Sequence, residues 1–298
     1  MTTRKIEQFQ MGGKALVPGQ SLLRLEESTD LLDDTEALRA RMQADGYVLL
    51  RGFFDRPFVA RARHQILTYL AEHGFLKQGT DVEEGIVAPD KHPPSFTHEI
   101  VRHLDAFLDV VNSARIMDFF ELFLGQPALT LDHKWLRVVG PGSNTGAHCD
   151  IVFMGAGTKR LYSAWTALGD IPMQMGTLAI CLGSHRHEKL RATYGSADAH
   201  KDLTGGGIFD EDPHAVTRVL GCPWASTDFR MGDVAIFDMY LLHGSLDNQT
   251  DRIRLSSDTR YQAASDPVDQ RHMGETPDGF ARYQGTRTVE EARKEWGI

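Results

Sequence analysis

At Gly125 the spacing of apolar residues in this chain changes from helical to alternating, and no other feature constrains the fold as much. Before that point the spacing predicts helices. Asp34-Thr35 caps one that carries Leu38 and Met42 and stops at Gly46. Asp55, with Pro57 just inside, opens another that turns Val59, Ile66 and Leu70 inward and ends near Gly74. Two more carry Ile100, Leu104, Phe107, Leu108 and Val111, then Ile116, Phe119, Phe120 and Phe123. Tyr47–Leu50 reads as a short strand between the first two helices, and 79–94 as a loop. Beyond Gly125 the alternation predicts strands over Leu129–Val138, Leu161–Leu168, Thr177–Leu182, Val234–Phe237 and Ile253–Tyr261. Helices first and strands later imply a mainly β fold with flanking helices, an antiparallel sandwich or barrel buttressed on one face.

Residues 187–229 read as a long irregular, glycine-bearing insert including Gly205-Gly206-Gly207, a length that suggests a lid. Thr288-Val289-Glu290-Glu291 has the capping-box pattern of a short terminal helix. At 298 residues one large domain is expected: a helical part over about 1–125, a strand-rich core over about 126–265 and an extension over 266–298. The net charge of −9 lacks the basic footprint of a nucleic-acid or anionic-membrane surface, which leaves a small-molecule substrate as the expected partner. Cys149, Cys181 and Cys222 form neither a zinc pair nor a disulfide framework, so a cytoplasmic setting is expected. The first residues carry no apolar leader, and no run is long enough to span a bilayer.

His148-Cys149-Asp150 is the chemical centre of the sequence. On extended backbone, residues two apart share a face, so His148 and Asp150 converge while Cys149 points away. Gly140-Pro141-Gly142 before the triplet and the β-branched Ile151-Val152 after it favour extended backbone. His103-Leu104-Asp105 has the same letters in a helical stretch, where the outer pair would be roughly 200° apart around the axis and share no metal. His243 follows a buried-looking run from Gly232, and Arg254 comes eleven positions later. Alone, each histidine is more often a satisfied core residue than a ligand. Together with Asp150 they form the two-histidine, one-carboxylate set that holds iron(II) on one face and leaves positions open. Arg254, read as lying on the neighbouring strand, has a guanidinium suited to a carboxylate. Arg252 and Arg260 share its face by parity and read as decoys.

These segments, with Ala164–Leu168, Met175–Leu178 running to Gly183–Arg186, and Asp45–Phe53, resemble the phytanoyl-CoA dioxygenase family of iron(II)/2-oxoglutarate oxygenases, in matching order across roughly 130 to 262. The resemblance implies a double-stranded β-helix (jelly roll, cupin-like) core. It puts His148, Asp150 and His243 on iron, with Arg254 on the far carboxylate of 2-oxoglutarate. Trp165 and Ser245 match positions lining the co-substrate pocket, and Lys134 or Trp135 lies where relatives have a further contact. Two positions depart from the pattern: Cys149 stands where relatives often have Gln, and Met175-Gly176 where they often have Asn-Gly. Asp150 argues against the halogenating relatives, in which a small residue replaces the carboxylate.

The implied reaction uses iron(II), 2-oxoglutarate and dioxygen to hydroxylate a C–H bond, releasing succinate and carbon dioxide. Two alternatives use the same ligands: a non-catalytic metal-stabilised binding protein, which needs no Arg254, and a zinc hydrolase, which needs a general base. The loops at 75–100 and 187–229 are the expected mouth, where Lys77, Lys91, His92, His98 and Arg102 could meet an anionic substrate.

Overall fold

The computed structural model describes residues 8–274 and 283–298. Residues 1–7, where the absence of an apolar leader was read, and 275–282, within the expected extension, lie outside the described residues. The strands are β1 (Phe9–Met11), β2 (Lys14–Leu16), β3 (Leu22–Arg24), β4 (Tyr47–Leu50), β5 (Ala128–Thr130), β6 (Leu136–Val139), β7 (Tyr162–Ala167), β8 (Leu178–Cys181), β9 (Trp224–Ser226), β10 (Val234–Asp238), β11 (His243–Ser245) and β12 (Arg254–Ala263). The amino-terminal helices are α1 (Thr35–Asp45), α2 (Arg56–Glu72), α3 (His98–Val101), α4 (Asp105–Val111) and α5 (Ala114–Leu124). Later come α6 (Ile151–Met154), α7 (Glu188–Ala192), α8 (Ala199–Asp202), α9 (Pro213–Leu220) and α10 (Val289–Trp296).

Two sheets face each other. The larger is antiparallel, in the order β4-β10-β7-β12-β5, with β6 also on β12. The smaller runs β11-β8-β9-β3, and only the β3–β9 pair is parallel. Alternation along β4 assigns its two faces: Val48 and Leu50 pack under the amino-terminal helices, while Tyr47 and Leu49 face the smaller sheet. Trp165, Ala235 and Phe237 meet Leu178, Ile180 and Ala225 between the sheets. The outer face of the smaller sheet, through Ala179, Cys181 and Trp224, packs with residues of α6, α7, α9 and α10.

Strand β12 is buried along its whole length yet reads Arg-Leu-Ser-Ser-Asp-Thr-Arg-Tyr-Gln-Ala. Leu255 and Tyr261 join the helix-side core, where Tyr261 stacks on Phe120 at 4.3 Å. Arg254, Ser256, Asp258, Arg260 and Gln262 share the opposite face by parity, the face that Asp258 shares with its partner Trp165. A polar row of this kind between two sheets has to be matched by polar or ionic partners.

The helices start and stop as their caps dictate. Asp34 accepts from the Ala37 amide, a cap of about 1 kcal/mol. Gly46 ends α1 at φ 79°, and a Cβ there would lie 2.5 Å from the His185 ring.

Three local expectations are corrected. Leu129–Val138 is two strands, because the chain leaves the ladder between β5 and β6 and His133 donates to the His272 carbonyl instead. His103 sits in the turn between α3 and α4 and Asp105 opens α4, so the pair is not inside one helix; His103 is exposed and lies near Glu99. Residues 187–229 are not irregular: they contain α7, α8, α9 and β9, with Asp212 capping α9, Pro213 in its first turn and Gly221 closing it.

Candidate active site

His148 and His243 are a cross-strand pair. Each donates its amide to the other's carbonyl, at 2.8 and 2.9 Å, and the ring centroids lie 4.3 Å apart. Gly244 lets β11 come this close, since a Cβ on it would lie 2.7 Å from the Thr145 carbonyl. The extended backbone expected through Ile151-Val152 ends earlier. Asp150 has helical angles and stands at the head of α6, so both β-branched residues are helical. Its carboxylate still reaches the pair, with Oδ1 3.7 Å from His148 Nε2 and 4.0 Å from His243 Nε2. These three residues are the one cluster of metal-donor side chains found among the described residues, and all three are buried. Cys149 points away, its thiol donating to the Tyr240 carbonyl.

The donor set fits a divalent ion. His148 Nδ1 lies 2.9 Å from the Gly146 carbonyl and His243 Nδ1 3.0 Å from the Leu241 carbonyl. A carbonyl can only accept, so the proton sits on Nδ1 and leaves the Nε2 lone pairs toward Asp150. Burial, ahead of the neighbouring His243, pushes His148 down to about 3, and burial lowers His243 too, so both rings are neutral at physiological pH. Burial alone would raise the Asp150 carboxyl. Arg260 first, then the two imidazoles and the Ser163 hydroxyl, outweigh it and hold the group ionised well below the usual carboxylate range.

Arg260, read from sequence as a decoy, is the fully buried cation on this carboxylate, with Nη2 donating to Asp150 Oδ1 at 2.8 Å. It also meets Asp258 and lies 4.4 Å over the Trp135 ring. The missed signal was the polar alternation of β12. Arg252, the other decoy, is exposed beyond the strand.

Arg254 is 1% exposed and has no acidic partner among the described residues. It donates through Nη1 to Ser256 Oγ, leaves Nε unbonded, and lies 5.8 Å over the Trp165 ring. Burial, ahead of the charge on Arg137, pulls its pKa down to about 9, still charged at neutral pH. Ser245, two residues from His243, is buried and accepts from the Thr145 amide at 2.8 Å. Lys134 is placed elsewhere. Its ammonium donates to Thr130 and the Leu131 carbonyl, and it lines a separate cleft with His98 and Arg102.

His148 and Asp150 open on a pocket of about 150 Å³ walled by Trp135, Arg137, Phe153, Met154, Ile208 and Tyr283. The insert contributes His200 and Ile208, but the 75–100 loop contributes none of its lining residues, which corrects half of the expected mouth. No glutamate lines it among the described residues. A larger open groove of about 920 Å³, between α1, α5 and α7, holds none of the triad.

The phytanoyl-CoA dioxygenase description matches residues 42–256, which spans the triad and Arg254. The chain belongs to this family. With the triad in place, it is an iron(II)/2-oxoglutarate-dependent dioxygenase. It is 27% identical over 253 residues to the 1-deoxypentalenic acid 11-beta-hydroxylase of Streptomyces exfoliatus, covering 80% of this chain and 85% of that one. The hydroxylase of the same name from Streptomyces arenae is 28% identical over the same shares. Among solved structures, EctD from S. alaskensis with 2-oxoglutarate and 5-hydroxyectoine superposes with a TM-score of 0.59 at 19% identity, covering 96% of this chain and 98% of that one. The epimerase SnoN with Fe3+, alpha ketoglutarate and nogalamycin RO gives 0.56 at 20% identity, covering 79% and 86%. At such identities these structures bear on the fold alone. No helix among the described residues is long and apolar enough to cross a membrane.

Proposed function

We propose that the two sheets form the double-stranded β-helix core of one dioxygenase domain that hydroxylates a C–H bond of a small organic substrate in the cytoplasm. In this reading His148, Asp150 and His243 hold iron(II), and Arg254 holds the distal carboxylate of 2-oxoglutarate. Trp165 lies under the Arg254 guanidinium and Ser245 beside the His243 strand. The carrying observation is Arg254, a buried guanidinium with no acidic partner of its own among the described residues, close enough to the pocket's Arg137 to feel its charge. Buried charges are paired in native proteins, and a bidentate carboxylate is the partner a guanidinium fork fits. A metal-stabilised binding protein gives this arginine no role.

Bound iron(II) and 2-oxoglutarate supply dioxygen activation, with 2-oxoglutarate leaving as succinate and carbon dioxide. The protein's part is placement. The carbonyls of Gly146 and Leu241 fix both imidazole tautomers, and Arg260 with Ser163 fixes the Asp150 carboxylate. Trp135, Phe153, Met154 and Ile208 exclude water around the reacting carbon. Lys134 has no part in this arrangement.

Anaerobic iron(II) and 2-oxoglutarate added to the protein are expected to give the metal-to-ligand charge-transfer absorption of a chelated keto acid. Properly loaded protein without that band overturns the assignment.

A further inference from the structure

One feature of the pocket is unused by the chemistry above. Arg137, on β6, lines it beside His148 and Asp150, and its side chain is 33% exposed. Its Nε and Nη2 both donate to a single oxygen of Asp258, at 3.1 and 2.9 Å, and Nη1 has no hydrogen bond to the described residues. Asp258 is only 8% exposed, and its other oxygen lies 3.1 Å from Arg260 Nη1. One carboxylate is therefore shared by two guanidiniums, and Arg260 is further committed to Asp150.

The charges of this interior do not balance. Arg137 and Arg260 pair with Asp258 and Asp150, while Arg254, on the same face of β12, has no acidic partner among the described residues, so three guanidiniums stand against two carboxylates. One positive charge is left over. Iron(II) and dianionic 2-oxoglutarate cancel each other, so loading the site leaves that excess in place. Arg254 and Arg260 are fully buried, which leaves Arg137 as the cation the pocket can reach. Around it the walls are Trp135, Phe153, Met154 and Ile208, surfaces for a hydrocarbon body.

We infer that the substrate is a small, largely apolar carboxylate monoanion whose carboxylate docks on Arg137, placing its hydrocarbon body against the triad. The inference rests on the dioxygenase reading. It goes beyond it by assigning the substrate's charge, its polar anchor and the residue that selects it. A carboxylate at Arg137 would share the guanidinium with Asp258, relieving that acid of serving two cations alone.

The test is calorimetric titration, without oxygen, of the iron(II)/2-oxoglutarate complex with cyclohexanecarboxylate, cyclohexanecarboxamide and cyclohexyl phosphate. A charge-assisted hydrogen bond predicts that the carboxylate binds at least ~10-fold more tightly than the isosteric amide. Arg137→Gln should erase that preference and Arg137→Lys should keep part of it, both with the charge-transfer band still present. Equal binding of acid and amide, no binding of either, or tightest binding of the phosphate overturns the inference. So does loss of the band in Arg137→Gln alone, which assigns the arginine to 2-oxoglutarate. Should Arg137→Gln not fold, the wild-type comparison of acid and amide still decides. Absence of the band in wild-type protein before any probe is added is the separate failure of the dioxygenase reading.

Discussion

Replacing Arg254 with methionine should make the empty protein more stable and the loaded protein less so. The guanidinium is 1% exposed and, among the described residues, has one side-chain hydrogen bond, to Ser256, and no acidic partner. Exchanging buried ionic groups for apolar ones of similar volume is neutral or stabilising by about 1–4 kcal/mol. Against this stand about 1 kcal/mol for the Ser256 bond and about 0.5 kcal/mol for the contact with Trp165. From the middle of that range, about 2.5 kcal/mol, a net gain of about 1 kcal/mol remains, and at this size Tm moves roughly 2–4 °C per kcal/mol. The same change removes a charge-assisted carboxylate contact, about 3 kcal/mol or ~100-fold in 2-oxoglutarate affinity. With 2-oxoglutarate at about 100 times the wild-type Kd, wild type gains about 2.7 kcal/mol and the variant about 0.4. Urea unfolding with and without anaerobic iron(II) and 2-oxoglutarate should therefore show the two stabilities crossing. A metal-free variant weaker than wild type by more than about 1 kcal/mol would refute the idea that Arg254 is held uncompensated for a ligand. So would a variant that 2-oxoglutarate stabilises as much as wild type.

Two further outcomes follow from the buried charges. Arg260→Gln strips Asp150 of its guanidinium and should cost about 3–5 kcal/mol in urea unfolding of the metal-free protein. With Asp150 rising toward the ordinary carboxylate range, metal affinity should also fall more steeply on acidification, as a metal titration at several pH values would show; an unchanged pH dependence counts against the clamp. Burial pushes His272 down to about 4, so the folded state refuses a proton that the unfolded state takes below about 6.5. Stability is then lost as pH falls from about 6.5 to about 4, at up to ~1.4 kcal/mol per pH unit for this ring. His272→Gln should flatten the measured profile in that window, and a parallel profile would place the titration elsewhere.

The parts of this design that were legible in the sequence are those set by period and by parity. Long amphipathic helices such as α2 and α5 carry enough turns to show their spacing, and β7 and β10 enough residues to show strands. The three-residue strands β1, β2, β3 and β9 are too short to display a period and were missed. In the insert, Gly205–Gly207 reads as irregular chain, while Asp212-Pro213 and Gly221 beyond it bound α9 with ordinary capping chemistry. The triad was found because parity brings His148 and Asp150 to one face, although the chain turns helical at Asp150. Arg260 was misread for a physical reason. An arginine on a strand is most often solvated, and nothing local says that the strand is covered on both faces. Partners far along the chain, Asp150 above all, decide its role.

Strand β12 has a consequence for how such a chain can vary across generations. It is paired to β5, β6 and β7, its even positions supply the charges of the interior, and its odd positions fill the helix-side core. Gain or loss of one residue within 254–263 would exchange the two rows, turning Leu255 and Tyr261 inward and the arginines into hydrocarbon. Core and chemistry would fail in the same event, so no lineage could keep one while losing the other. The walls at Ile208 and Tyr283 come from loop segments, outside the β12 ladder. Insertions and deletions can accumulate there at little cost, letting the range of substrates drift while the length of one strand is inherited unchanged.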